Sequence, residues 1–138
     1  MATSGQRGKS AEGKVKEELA KLESQSFTSY RFPDARAGSF SATPCDYMLM
    51  SKGHLTLLEV KQVNHATRLP HGNFERDQCA RMRNWKLAGA SVWVLVHFTP
   101  LTAWRLIEVE HFLVRTGGSW VLSDWPLITL SEAIEQLI

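Results

Sequence analysis

An α/β fold, a central mixed β-sheet flanked by helices, is predicted by three features of the sequence. Two apolar runs, DYMLM and LTLLEVK, enclose the residues SKGH in the pattern of a β-hairpin. The run SVWVLVHF is apolar on both faces, as expected of a strand covered on both sides of a sheet. Helical periodicity appears near both ends, with Ala11, Val15, Leu19 and Leu22 on one stripe and Leu130, Ile134 and Leu137 on another.

In chain order, residues 11–24 read as a helix, and residues 32–45, rich in Gly, Pro, Ser and Ala, read as a loop. The hairpin follows, and residues 62–73 read as irregular around Pro70 and Gly72. Asn73 is a candidate N-cap for a helix running to Leu87, with Gly89 at its exit. After SVWVLVHF, Thr99-Pro100 turns the chain into a strand AWRLIEV, and Gly117-Gly118 suggests a further hairpin. Thr129 and Glu132 have the spacing of a capping box for the last helix.

With 138 residues the chain fits a single domain over 1–138, its polar start (1–10) flexible. No stretch approaches the roughly 20 apolar residues needed to cross a bilayer, and the first dozen residues lack the apolar core of a signal peptide. No membrane association and a cytoplasmic location are therefore expected. Two cysteines, Cys45 and Cys79, suit that compartment and cannot build a zinc or iron–sulfur site unaided. The five histidines lack zinc spacing, the five tryptophans mostly fall in core patterns, and Gly117-Gly118 lacks the third glycine of a dinucleotide loop. Charge is uneven: residues 1–106 hold 15 Lys and Arg against 9 acids, and residues 107–138 hold 1 against 5. A basic body suits a polyanionic partner.

The chemistry concentrates in the hairpin. A two-residue loop at Lys52-Gly53 would pair Ser51 with His54 and, counting outward, set Asp46 directly opposite Glu59. Side chains alternate along a strand, so Leu55, Leu57, Glu59 and Lys61 share one face. Opposed carboxylates destabilise a strand pair, with Cβ atoms only about 4.5–5.5 Å apart, and a cation between them relieves the repulsion. Oxygen-only ligands favour Mg²⁺, for which Mn²⁺ can substitute. On the first helix, Glu12 and Glu18 flank the apolar stripe and could each supply a third acid, whereas Glu17 points away. Gln78 interrupts the stripe Phe74, Met82, Trp85, and Arg76, Arg81, Arg83 and Lys86 on the same segment suit phosphate contacts.

The run Asp46-x12-Glu59-Val60-Lys61 has the form of the PD-(D/E)XK nuclease signature, and the chain resembles the RecU family of Holliday junction resolvases over most of residues 7–112. The matching pieces are Arg7-Gly8-x3-Glu12, Asp46-Tyr47, Glu59-Val60-Lys61, Leu69-Pro70-x2-Asn73-Phe74-x3-Gln78 and the strand before Phe98. Archaeal Hjc resolvases look similar in the Gly-x3-Glu helix and the hairpin. The resemblance implies the restriction-endonuclease-like PD-(D/E)XK fold, selects Glu12 over Glu18, and gives Gln78 a secondary catalytic place. It also implies a homodimer acting on branched DNA, namely four-way junctions, with paired nicks leaving 5′-phosphates. Two departures stand out: Cys45 precedes Asp46, displacing the proline to Pro44, and residues 28–45 leave no room for the stalk that RecU proteins insert into the junction.

The expected machinery is thus a divalent metal held by Asp46, Glu59, the Val60 carbonyl and Glu12, with Lys61 and Gln78 beside it. Two other readings are the same chemistry on other DNA (repair, restriction-like or degradative) and a DNA-binding module without catalysis. A Mg²⁺ cleavage assay separates the last from the rest.

Overall fold

The turn at Lys52-Gly53 organises the sheet. Both residues have positive φ, 51° and 81°, the combination that a two-residue type I′ hairpin requires. It joins β2 (Tyr47–Ser51) to β3 (His54–Val63) in the expected register, from Ser51↔His54 to Tyr47↔Leu58. These strands belong to a computed structural model that describes residues 10–33 and 43–138. Arg7 and Gly8, most of the 32–45 loop and the start expected to be flexible lie outside the described residues.

The helix α1 (Ala11–Lys21) begins at Ser10, whose hydroxyl accepts from the Gly13 N–H, and buries Ala11, Val15 and Leu19. It ends three residues before the expected boundary. A strand that the sequence reading omits, β1 (Phe27–Arg31), then pairs antiparallel with β2. Beyond β3 come β4 (Arg68–Pro70), a 3-10 turn at His71–Asn73 and α2 (Gln78–Leu87). The strands β5 (Ser91–Phe98) and β6 (Ala103–Glu108), a 3-10 turn at Val109–Leu113, β7 (Ser119–Val121) and α3 (Leu130–Leu137) complete the order. The five-stranded sheet runs β1-β2-β3-β5-β6, parallel only between β3 and β5, and a separate ribbon pairs β4 with β7. This is the mixed sheet that was expected.

Each face of the sheet has its own core. Leu58, Val60 and Leu95 pack with α1 and α3, while Leu57, Val94, Val96 and Phe98 pack with α2, the 109–113 turn and the ribbon. Three local expectations need correction. Asn73 does not cap α2: Phe74 tucks against Phe112 and Trp120, at 5.3 and 5.4 Å between ring centroids, and that burial pulls the chain out of helical geometry. The helix starts only after Asp77, at φ 72° and without a side-chain cap. Trp85, expected to face inward, is 41% exposed. Gly117-Gly118 does not close a hairpin with the residues before it, because β7 pairs with β4. Residues 62–70 are also more regular than expected, since β3 continues to Val63 and β4 follows.

Arg105 locks the loops around the ribbon. Buried on β6, it donates through Nε to the Trp125 carbonyl and through Nη1 to the Ala66 carbonyl, both at 2.9 Å, and lies over the Phe98 ring. Replacing it with Met removes two charge-assisted bonds and leaves two carbonyls to find other partners, at about 1.5–3 kcal/mol each. Arg105→Met should therefore lower stability by roughly 3–6 kcal/mol in urea unfolding, and a change below about 0.5 kcal/mol would remove it from this role. Among the described residues no helix is long and apolar enough to cross a membrane.

Candidate active site

The open end of the β2–β3 hairpin is where charge is buried. Strand pairing ends at Tyr47↔Leu58, and the next residue, Asp46, turns a carboxylate oxygen onto the Val60 N–H at 2.8 Å. Glu59 is 4% exposed and is held on one side by Lys61, whose Nζ lies 2.9 Å from Oε2. Its other oxygen, Oε1, is buried without a hydrogen-bond partner. Lys61 also donates to the Asn73 carbonyl at 2.6 Å and sits 4.6 Å from the Phe74 ring centroid. The turn that misplaces the expected start of α2 is thus what seats the lysine.

Asp46 carries the cost of this crowding. Burial first, then the charge of Glu59 and, less strongly, that of Glu12 push its pKa up from 3.8 to about 7, against a lowering by the Val60 N–H. Between those values the folded state binds a proton that the unfolded state releases. Stability contributed by protonated Asp46 is present below about pH 4 and is lost as pH rises to about 7. In chelator, Asp46→Asn should flatten that decline and leave the variant more stable than wild type at pH 7, read as melting temperature against pH. A variant equal to or less stable than wild type at pH 7 would refute the crowding account.

Glu12 approaches from the other layer. The α1 N-terminus is tied to the sheet by the Ala11 N–H donating to Gln62 Oε1 at 2.9 Å and by the Tyr47 hydroxyl donating to the Glu12 carbonyl at 3.3 Å. The Glu12 carboxylate itself meets Arg31, with Nε and Nη2 at 2.6 and 2.5 Å from Oε1. Glu18, the other acid on the helix margin, pairs with Lys21 instead. Gln78 is buried at the first residue of α2, and its neighbour Cys79 feels the charges of Lys61 and Glu59, which places the start of α2 beside the site.

The expected convergence of three acids is not present: among the described residues, no group of three His, Cys, Asp or Glu is arranged to hold a metal. Three carboxylates repel one another without a cation between them, and Glu12 satisfies its charge on Arg31. The donor set nevertheless fits a hard divalent cation. Asp46 and Glu59 offer adjacent carboxylates, and Glu59 Oε1 is the orphaned buried oxygen that a cation would satisfy. Arg31 escaped the sequence reading because it lies on β1, whose FTSYR pattern carries only one buried position. Of the basic residues expected to meet phosphate, Arg81 pairs with Glu75 at 3.3 Å and Lys86 pairs with Glu110, while Arg76 and Arg83 line a cleft described below.

No family model matches the sequence, and no curated protein is similar to it. Among solved structures, the 1.6 Å structure of Hjc from Archaeoglobus fulgidus, a Holliday junction resolvase from an archaeal hyperthermophile, matches with a TM-score of 0.61. The two are 24% identical, and the match covers 88% of this chain and 95% of that one. The likeness establishes that this chain has the Hjc-like, restriction-endonuclease-like fold.

Proposed function

We propose that this protein is a metal-dependent, structure-selective DNA endonuclease, a Holliday junction resolvase that makes paired nicks and leaves 5′-phosphates. The observation that carries the reading is the half-buried Asp46 carboxylate set beside the buried Glu59 at a hairpin end, with Lys61 on the same face as Glu59 and Glu59 Oε1 unpartnered. That arrangement is costly to a fold with no cation to bind. Its occurrence on the fold of Hjc, a Holliday junction resolvase, turns the chemistry toward phosphodiester hydrolysis.

In this reading Asp46, Glu59 and the Val60 carbonyl hold Mg²⁺, with Mn²⁺ able to substitute, and Glu12 helps from the rim. Such an ion supplies a hydroxide at neutral pH and neutralises charge on phosphate oxygens. Lys61 is fixed by Glu59 and the Asn73 carbonyl, so its ammonium is already in place beside the reacting phosphate, where preorganised charge is worth most. Gln78 orients water or backbone at the start of α2. A symmetric homodimer fits a two-fold junction, since each subunit then meets one of two symmetry-related strands. The location follows the substrate: the cytoplasm, with its DNA.

The test is cleavage of matched four-way, Y-shaped and linear DNA with Mg²⁺, the product ends checked by ligation. Paired, ligatable nicks in the four-way substrate are expected. A second reading, the same chemistry on another DNA structure, is favoured by the short connection between β1 and β2, which spans residues 32–46 and leaves no room for a stalk. Equal cutting of all three substrates would select it.

A further inference from the structure

A second, smaller feature of the surface is a cleft of about 300 Å³ between α2 and the 109–113 turn. Three arginines reach it from two directions: Arg76 and Arg83 from the α2 side and Arg115 from the segment after the turn. Phe112 and Cys79 contribute to its lining, and Asp77 is the acid at its edge. None of the three arginines has a carboxylate within ion-pair distance among the described residues, in contrast to Arg81 and Lys86. Three guanidinium groups gathered around a concavity with a single acid at its edge, and none of them ion-paired, repel one another, which a bound anion would relieve.

Arg115 is held in place rather than loose. The Trp120 indole N–H donates to the Val114 carbonyl at 2.7 Å and fixes the backbone beside it. The guanidinium lies 5.5 Å from the Trp120 ring centroid and reaches the Cys79 thiol. The cleft is also mechanically joined to the hairpin site. Phe112, in its lining, packs 5.3 Å from Phe74, whose ring lies 4.6 Å from the Lys61 ammonium. Cys79, on α2, lines the cleft and also feels the charges of Lys61 and Glu59 at the hairpin site.

We infer that this cleft is a phosphate subsite, in which Arg76, Arg83 and Arg115 grip one backbone phosphate of the DNA at a position flanking the bond that is cut. The inference rests on the nuclease reading for the word flanking, and on the arginines alone for the phosphate. Planar guanidinium forks match a phosphodiester in two-bond contacts, and three of them around one concavity define where the strand must lie. A strand fixed there is fixed relative to Lys61 through two ring contacts. The subsite therefore sets register along the backbone and reads no base.

The test is binding rather than cleavage. Fluorescence anisotropy of a labelled four-way junction, with the full chain and Ca²⁺ in place of Mg²⁺, is measured across a KCl series. Arg76→Ala, Arg83→Ala and Arg115→Ala should each weaken binding by about tenfold or more and lower the slope of log Kd against log salt, the three together by about one because they share one phosphate. Arg81→Ala and Lys86→Ala, already ion-paired, should change the slope by less than half as much. Arg115→Lys, which keeps the charge, should keep most of the slope, and melting curves should leave all five alanine variants folded. A single neutral methylphosphonate walked along the arm should cost affinity at one position in wild type, and that penalty should vanish in the Arg83→Ala/Arg115→Ala protein. Equal slope changes for all five residues, loss of slope in Arg115→Lys, or a methylphosphonate penalty that is uniform along the arm would each overturn the subsite. Failure of the nuclease reading looks different: no metal-supported cutting, with the arginine slopes and the single sensitive phosphate intact.

Discussion

Asp46→Asn and Glu59→Gln should each reduce Mg²⁺-supported cleavage of a four-way junction to background, a loss on the order of 10³-fold or more, because a metal's contribution to the transition state is several kcal/mol. Junction binding in Ca²⁺ should change far less, since the phosphate contacts lie elsewhere. The two variants differ in what else they disturb, and this makes them a useful pair. Asp46→Asn keeps an oxygen for the Val60 N–H and removes a crowded charge, so the fold should not suffer. Glu59→Gln removes the partner of a mostly buried lysine, and breaking such a pair can cost up to about 3–5 kcal/mol. Loss of cleavage in a folded Asp46→Asn protein is therefore the decisive result, and near-normal cleavage by it would sink the site. Glu12→Ala should also lose most activity, whereas Glu18→Ala, which breaks only an exposed pair with Lys21, should stay within about twofold of wild type.

What was legible in the sequence follows from how local each feature is. The hairpin register could be counted because two adjacent residues, Lys52 and Gly53, decide it by their positive φ. Counting outward from that turn then brought Asp46 up to Glu59 and put Lys61 on the same face. The capping box of α3 was equally local: the Thr129 hydroxyl accepts from the Glu132 N–H, and the Glu132 carboxylate accepts in return. Features set by distant partners were not legible. The three-residue strands β4 and β7 lie far apart in the chain and carry no pattern of their own. The start of α2 is displaced by a cluster of Phe74, Phe112 and Trp120 that only the folded chain assembles. Glu12 and Glu18 are equivalent on a helical wheel, and their different partners, Arg31 on a strand with little apolar signal for Glu12 and Lys21 for Glu18, appear only in the folded chain. Arg115 lies outside any helix or strand, so periodicity could not connect it with Arg76 and Arg83.

Lys61 should prove to be more than the counter-ion of Glu59. Two accounts of it make different predictions. If it merely neutralises a buried carboxylate, Lys61→Met should destabilise the metal-free protein, and a bound cation should restore both stability and activity. If its ammonium also stabilises charge on the phosphate, activity should stay low when stability is restored. The geometry favours the second account. The Asn73 carbonyl at 2.6 Å and the Phe74 ring hold the ammonium in addition to Glu59, more constraint than a single ion pair needs. Removal of one preorganised charge-stabilising donor typically costs about 10²–10³ in turnover. Lys61→Met in saturating Mg²⁺ is therefore expected to fall by that factor in kcat on the junction, with Kd for DNA in Ca²⁺ little changed. Lys61→Arg keeps the charge but replaces a compact ammonium by a planar fork that cannot fill the same pocket between Glu59, Asn73 and Phe74. It should recover stability more fully than activity. If Lys61→Met, once melting curves show it folded with metal bound, cuts within about threefold of wild type, the lysine is a structural counter-ion and the transition-state role must pass to another group, with Arg31 beside Glu12 the next candidate.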